Sequence, residues 1–277
     1  MVIVKYCVAD TSKIGNEIQA KIKGEITQEE IESFFQIFAF LGNIVPAETA
    51  YRIAEKNCNE FLAFMTKQNL STLFKNGINE DILVTESNRL IFNLCASIIT
   101  FVDYSKKGLS DRKSQKEEFE SFLNRVFDSS LAYRFFYKLR NYCVHYAFPY
   151  ASVEVKEPFL VDIYCRKSLL MDFSGWGSLV KKDLESMPEI IDIIALIEPL
   201  LGTIMGIDLA LNYYFSDNYI HAFKSISNLC TKYGVTKPIF LLYDENENMS
   251  LRPIPIRKIL EGIDKLKMHP RISINFI

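Results

Sequence analysis

Apolar residues recur at spacings of three and four over most of the chain, which is the pattern of helices that bury one face. In the first half this pattern predicts helices over 27–42, 46–70, 79–108, 114–127 and 131–148. Thr27 and Glu30 have capping-box spacing at the start of the first helix. Gly42 suits the end of that helix and Pro46 suits the first position of the next, so we expect two separate helices here.

Alternating apolar and polar residues replace the helical spacing after residue 150. Residues 151–165 predict a β-hairpin around a Glu-Pro break, followed by a further extended piece to residue 173. Helical spacing returns over 187–233, with a break expected near Pro199 or the Gly202–Gly206 stretch.

Short extended segments lie near the two ends of the chain. Residues 2–9 predict a strand. Residues 237–255 predict a second strand, a polar turn at 244–248 and a Pro-rich extended piece, before a last helix over 256–267.

These elements predict a mainly α protein, built as an antiparallel helical bundle with a β-hairpin insert and a small mixed C-terminal segment. We expect a helical domain over 1–235, which includes the insert near 151–173. The remaining residues, 236–277, are expected to form a small strand and helix appendage.

The charge balance narrows the ways in which the protein can bind nucleic acid. A net charge of −2 excludes a protein held on polyanions by bulk charge, so RNA binding would need a local basic patch. The stretch 104–116 is such a patch, with the cations Lys106, Lys107, Arg112, Lys113 and Lys116. The first four are candidate RNA contacts, and the alternative interpretation is a solvated loop and helix start.

The six cysteines are isolated in the sequence and have no zinc-ligand spacing, so we expect buried reduced thiols, no metal and no cofactor. The most apolar run, 190–215, is interrupted by charged residues and a proline, which predicts a core helix rather than a membrane span. The first residues lack the features of a signal peptide. We therefore expect a cytoplasmic protein that does not interact with a membrane.

The segment LRNYCVHYAFP, residues 139–149, places three polar groups within an apolar helical pattern. At about 100° per residue, Arg140, Asn141 and His145 share one sector of the helix, with Tyr137 among them. The opposite sector is predicted to pack inward and contains Phe135, Phe136, Leu139, Tyr142, Cys143 and Tyr146.

This trio has the parts required for cleavage of an RNA phosphodiester. An arginine side chain presents a fork of donors to phosphate oxygens, and a histidine gives or takes a proton near neutral pH. His145 is also expected near the end of its helix, where the dipole favours the cationic imidazole. The alternative is ordinary: an isolated histidine on a helix is usually a surface or capping residue, and so short a pattern also arises by chance.

The context of the motif resembles that of the HEPN superfamily (higher eukaryotes and prokaryotes nucleotide-binding). Its signature is an arginine, a polar residue directly after it, and a histidine following four to six intervening residues; Arg140, Asn141 and His145 match it at the shortest spacing. The predicted helices over 46–147 agree with the bundle of that superfamily. The hairpin and the residues after 186 lie outside it.

The resemblance implies a metal-independent endoribonuclease that acts as a homodimer, with two motif helices lining one cleft. Arg140 would contact phosphate, His145 would be the general acid or base, and Asn141 would position them. Such proteins are commonly toxins, antiviral-defence effectors or RNA-processing enzymes, so an antitoxin or another protein partner is expected. Other members have lost the motif and are scaffolds or binding modules, which is the alternative function here. A purely structural helical protein is the third possibility.

Two further features have an ordinary interpretation and a functional one. Glu86 and Arg89 are spaced for a surface ion pair. The functional interpretation is that Arg89 or Asn93 faces the motif helix and supports the catalytic residues. Tyr137, on the motif helix itself, is a third candidate for this supporting role. Trp176, the single tryptophan, is expected to be a packing residue rather than a base-stacking platform.

Overall fold

The computed structural model describes residues 3–14, 17–156, 159–244 and 249–270. Within these residues the protein is mainly helical, with two small antiparallel sheets. The helices are α1 (Gln28–Phe64), α2 (Lys67–Lys75), α3 (Glu80–Gly108), α4 (Lys113–Ser129), α5 (Leu131–His145), α6 (Lys167–Met171), α7 (Ser178–Ser186), α8 (Ile197–Tyr214), α9 (Ser216–Tyr233) and α10 (Ile256–Met268). The strands are β1 (Ile3–Ile14), β2 (Glu17–Glu25), β3 (Tyr150–Lys156), β4 (Leu160–Arg166), β5 (Ile190–Ile191), β6 (Pro238–Asp244) and β7 (Met249–Pro253).

The chain forms two compact units. One comprises Met1–Gly42 together with Leu209–Ile277, and the other comprises Asn43–Asp208. The boundaries fall inside α1 and α8, and they differ from the expected boundary at residue 235 because β6 pairs with β1 in the first unit.

The first unit contains a four-stranded antiparallel sheet with the strand order β2-β1-β6-β7. Cys7 of β1 lies opposite Glu25 of β2 on one side and opposite Leu241 of β6 on the other. Cys7, Ala9 and Leu241 form a buried cluster on this sheet.

The sequence predicted β1 but not β2. Polar and apolar residues do alternate over 17–23, with Ile18, Ala20 and Ile22 at the apolar positions, so the pattern that predicts a strand was overlooked. The described side chains of β2 are mostly exposed, as is usual for an edge strand. The two predicted C-terminal elements, a strand and a last helix, are confirmed as β6 and α10. Most of the turn predicted at 244–248 lies outside the described residues.

The capping box at the start of α1 is confirmed. The Thr27 N–H donates to Glu30 Oε2 at 2.9 Å, and the Glu30 N–H donates to Thr27 Oγ1 at 3.3 Å. The predicted break at 43–45 is wrong, because α1 continues through Pro46 to Phe64.

Packing explains why the proline does not end α1. Pro46 removes one backbone hydrogen bond, but buried residues continue at helical spacing across it, as at Ile44, Ala47 and Ala50. The chain breaks instead after Phe64, where Thr66 caps α2 by accepting from the Asn69 N–H at 3.3 Å.

The second unit contains the predicted α3, α4 and α5 close to their expected bounds. Asn79 caps α3 by accepting from the Ile82 N–H at 2.9 Å, and Ser130 caps α5 by accepting from the Tyr133 N–H at 3.3 Å. The predicted hairpin is confirmed as β3 and β4, and β5 adds a third strand to it.

Three predictions after the hairpin are wrong. Helical structure does not begin at residue 187, since 190–191 form β5 and α8 begins at Ile197. The chain is not extended to residue 173, since α6 begins at Lys167. The later helices are not interrupted at Pro199 or at Gly202–Gly206: α8 passes through these positions, and the break comes at Phe215. Pro199 lies in the first turn of α8, where a missing N–H costs no helical hydrogen bond.

Two helical stretches, Glu80–Gly108 and Ile194–Tyr214, are long and apolar enough to cross a membrane by length and composition alone. The core helix of a soluble protein has the same composition. Along α3, Leu90, Leu94 and Ile98 are buried within the second unit, so protein packing already accounts for the apolar residues of that helix.

We expect Gly108→Ala to lower the free energy of unfolding by about 1–3 kcal/mol through overpacking. A methyl group at this position would lie 2.7 Å from the carbonyl oxygen of Asn43. Gly202→Ala is the matched control, since its methyl group would meet open space in α8 and should stabilise by up to about 1 kcal/mol. Urea unfolding followed by circular dichroism compares the variants, and equal midpoints would contradict the close backbone contact at Gly108.

Candidate functional site

The candidate site is built on α5, whose buried face is largely aromatic. Its buried residues are Ala132, Tyr133, Arg134, Phe135, Phe136, Leu139, Tyr142 and Cys143. The predicted inward sector is therefore confirmed except at Tyr146, whose side chain is 53% exposed. The helix ends at His145, so Tyr146 no longer follows the helical wheel.

Trp176 holds this aromatic face in place. Its ring stacks on Tyr142 at 5.5 Å and on Phe135 at 6.3 Å between ring centroids. Its Nε1–H donates to the carbonyl oxygen of Leu170 at 2.6 Å. The side chain is 2% exposed, so the expected role as a packing residue is confirmed.

A buried ion pair, which the sequence did not predict, fixes the start of α5. Arg134 donates from Nε and Nη2 to the Asp183 carboxylate at 2.5 and 2.9 Å, and from Nη1 to the Asp128 carbonyl oxygen at 3.0 Å. The Asp183 carboxylate raises the pKa of the guanidinium. The sequence signal was an arginine among core positions of a helix, which requires a counterion from another element.

The predicted trio lies at the solvent-facing end of α5. Arg140 and Asn141 are half-buried, and Arg140 Nη1 donates to Asn141 Oδ1 at 3.3 Å. His145 is exposed and is the last helical residue. Within the described part of the chain no hydrogen bond joins Asn141 to His145, so the structure pairs the first two groups and leaves the imidazole open to solvent.

Tyr137 is the supporting residue that the structure connects most clearly to the trio. Burial and the charge of Asp103 raise the pKa of its hydroxyl, while the charge of Arg140 lowers that pKa. Its ring contacts those of Phe127 and Tyr133, with centroids 6.0 and 5.8 Å away.

The two other predicted supporting residues lie on α3. Arg89 donates to both carboxylate oxygens of Glu86, at 2.7 and 2.5 Å, which confirms the expected surface ion pair. The side-chain amide of Asn57 donates a hydrogen bond to the backbone oxygen of Asn93 at 3.2 Å. Among the residues that the structure describes, neither side chain forms a hydrogen bond with the motif, and their supporting role stays a prediction.

The predicted basic patch is divided between two helices. Lys106 and Lys107 lie in the last turn of α3, while Lys113 begins α4 and Arg112 precedes it. Arg112 Nη1 donates to Gln115 Oε1 at 3.3 Å.

Lys106 is the member of this patch that lines a cavity together with residues of the motif helix. The cavity has a volume of about 240 Å³ and is lined by Val102, Lys106, Leu123, Asn124, Phe127, Tyr133, Tyr137 and Lys138. Lys138 was not among the predicted site residues, although the helical wheel places it about 20° from His145, in the same polar sector.

The cysteines have the expected unreactive surroundings. All six are free thiols; Cys230 is half-buried and the other five are buried. Burial raises the pKa of Cys143, the thiol on α5, to about 12. Among the described residues, no group of three or more His, Cys, Asp or Glu side chains is arranged to hold a metal ion.

Comparison of the chain with protein-family models, with curated proteins and with solved structures gave no match.

We expect Arg134→Ala to lower the free energy of unfolding by about 3–5 kcal/mol, because it leaves the Asp183 carboxylate largely buried without its partner. Arg89→Ala is the control, since that ion pair is largely exposed and its loss should cost less than about 1 kcal/mol. Urea unfolding measures both variants. A small effect of Arg134→Ala, similar to that of Arg89→Ala, would show that the buried pair does not fix α5.

Proposed function

We propose that the chain is a metal-independent endoribonuclease of the HEPN type, with Arg140, Asn141 and His145 as its catalytic residues. The observation that carries this proposal is the arrangement of the trio on α5. Arg140 and Asn141 are hydrogen-bonded to each other, and His145 is exposed at the end of the same helix. The mainly helical character of the residues that precede the motif agrees with the resemblance.

The reaction consists of one displacement at phosphorus. The 2′-oxygen attacks the adjacent phosphorus, its proton passes to a base, and the bond to the 5′-oxygen breaks as that oxygen receives a proton. The products carry a 2′,3′-cyclic phosphate and a 5′-hydroxyl group. Arg140 would stabilise the charge on the phosphoryl oxygens, and Asn141 would hold the guanidinium in position.

His145 supplies the proton transfer. One imidazole acts at a time as base or as acid, so two copies of the motif facing one cleft would provide both groups. The exposure of His145 is compatible with access to RNA.

Exposed apolar residues beside His145 support a homodimer. Val144, Tyr146 and Phe148 are 43%, 53% and 50% exposed. We propose that a second copy covers these side chains and so brings the two motifs together. A toxin or defence effector with an antitoxin or other protein partner, acting in the cytoplasm, would fit this activity.

A second candidate function is a non-catalytic module that binds RNA, a nucleotide or a protein. The observation that favours it is the absence, among the described residues, of any side chain that holds the His145 imidazole in one orientation. Catalytic histidines usually have such a partner. The two functions differ in whether bound RNA is cut.

The first test is cleavage of total RNA and tRNA by the purified protein in EDTA, with the product ends mapped. We expect cleavage that leaves 2′,3′-cyclic phosphates and falls by at least about 100-fold in Arg140→Ala and in His145→Ala, as is typical when a charge-stabilising or proton-transfer group is removed.

Matched controls are Arg125→Ala, an exposed arginine on α4, and His221→Ala, an exposed histidine on α9. Both should cleave like the wild-type protein. Equal cleavage by the motif variants and the controls would contradict the proposed site, and binding of RNA without cleavage would favour the second candidate function.

We expect Val144→Gln combined with Phe148→Gln to shift the protein from dimer to monomer and to reduce cleavage in parallel, because the change places polar groups in the proposed interface. Sedimentation velocity measures the assembly. Ile82→Gln, at a side chain on α3 that is 52% exposed, is the control and should change neither property. Full cleavage by a monomeric variant would remove the need for a composite site.

A further inference from the structure

The cavity beside the motif helix lies where α3, α4 and α5 meet. Each helix contributes one polar residue with apolar or aromatic neighbours: Lys106 from α3, Asn124 from α4 and Lys138 from α5. Its volume of about 240 Å³ is below the roughly 300–1,000 Å³ of pockets that hold drug-sized ligands. A cavity of this size suits one planar ring system rather than a large cofactor.

The aromatic residues form one side of this cavity. Tyr133 is buried, and the rings of Tyr137 and Phe127 are half-buried, so part of their surface remains available to a ligand. Phe127 meets Tyr133 and Tyr137 edge-on, at interplanar angles of 84° and 86°. The accessible face of one such ring can bind the face of an unstacked base in single-stranded RNA.

The charge in the cavity is positive and lacks a direct counterion. Lys106 and Lys138 are half-buried, and neither forms an ion pair with any residue that the structure describes. Burial and the charge of the Asp103 carboxylate raise the pKa of the Tyr133 and Tyr137 hydroxyls. Asp103 forms no ion pair with Lys106 or Lys138 among the described residues. Two such lysines favour an anionic ligand, and a phosphate between them would offset their charges.

The cavity is connected to the catalytic motif through Tyr137. Arg140 follows Tyr137 by three residues on α5, about 4.5 Å along the helix axis, and His145 lies about 12 Å along it. A nucleotide held in the cavity would therefore lie next to the phosphate at Arg140, or one nucleotide away from it.

We infer that this cavity is a subsite for one nucleotide of single-stranded RNA. The base would stack on the Tyr137 ring, the Asn124 amide would contact the edge of the base, and Lys106 and Lys138 would bind the adjoining phosphate. The inference rests on the proposed ribonuclease function for the identity of the ligand, and it adds that the substrate is unpaired RNA bound partly through a base.

The test compares two probes that cannot be cleaved: a hexanucleotide of 2′-fluorouridine, and an abasic 2′-fluoro hexamer of the same length and charge. Fluorescence anisotropy measures the affinity of the full-length protein for each probe. We expect the base-containing probe to bind on the order of tenfold more tightly, since stacking on an aromatic side chain contributes to it. In Tyr137→Ala this difference should disappear, while affinity for the abasic probe stays unchanged.

The lysines should behave differently from the tyrosine. Lys106→Ala and Lys138→Ala should each weaken the binding of both probes equally. Each variant should also reduce the slope of log Kd against log salt concentration, by about 0.7 for each phosphate that it no longer neutralises. Tyr104→Ala and Lys182→Ala are the matched controls, because both side chains are exposed in the same unit and lie outside the cavity. Tyr137→Leu keeps most of the side-chain volume and replaces Tyr137→Ala if that variant does not fold.

The outcomes separate this inference from the proposed function. Equal binding of the two probes by the wild-type protein, or a base preference that survives in Tyr137→Leu, would overturn the subsite even if RNA is cleaved. A base preference that requires Tyr137, without any cleavage of RNA, would establish the subsite and reject the nuclease. Failure of both probes to bind would reject the subsite, and the EDTA cleavage assay would then decide the nuclease independently.

Discussion

The packing of Trp176 against α5 is the interaction on which the candidate site depends. Phe135 and Tyr142 stack on the indole ring, and burial of these large apolar surfaces fixes which face of α5 points inward. Since the rotation of the helix is set in this way, Arg140 and His145 must lie on its outer side. The chemistry at the surface is thus a consequence of packing in the core.

Electrostatics add a second constraint at the other end of the helix. The Arg134–Asp183 pair joins α5 to α7, and its geometry is bidentate. A pair this deeply placed contributes more to orientation than to net stability, because desolvation of both charges offsets much of their attraction. Core packing and the ion pair therefore act on the same helix, one along its inward face and the other at its start.

The sequence predicted best the elements that carry both a local signal and a buried face. The capping box at Thr27 and the cap at Ser130 were recognisable because each contact joins residues three positions apart. Strand β2 was recognisable from its alternation of polar and apolar residues over 17–23 and was overlooked. The continuity of α1 through Pro46 was hidden, since packing of the flanking residues decided it.

Much of the candidate site could be placed on its helix from the sequence, but its neighbours could not. The sector shared by Arg140, Asn141 and His145 follows from the helical period alone. The meeting of Lys106 with Tyr137, and of Arg134 with Asp183, depends on how separate helices pack. Periodicity specifies a face and does not specify what that face contacts.

The pairing of β1 with β6 has a consequence for the order in which the protein can form during its synthesis. Thr11 and Lys237 are hydrogen-bonded although they are 226 positions apart. A ribosome that adds roughly 5–20 residues per second needs about 10–45 s to make the chain between them. Through this interval β1 exposes the strand edge that β6 will cover, and 43–208 is complete before β6 is made. That edge of β1 is therefore open to incorrect pairing until β6 is made.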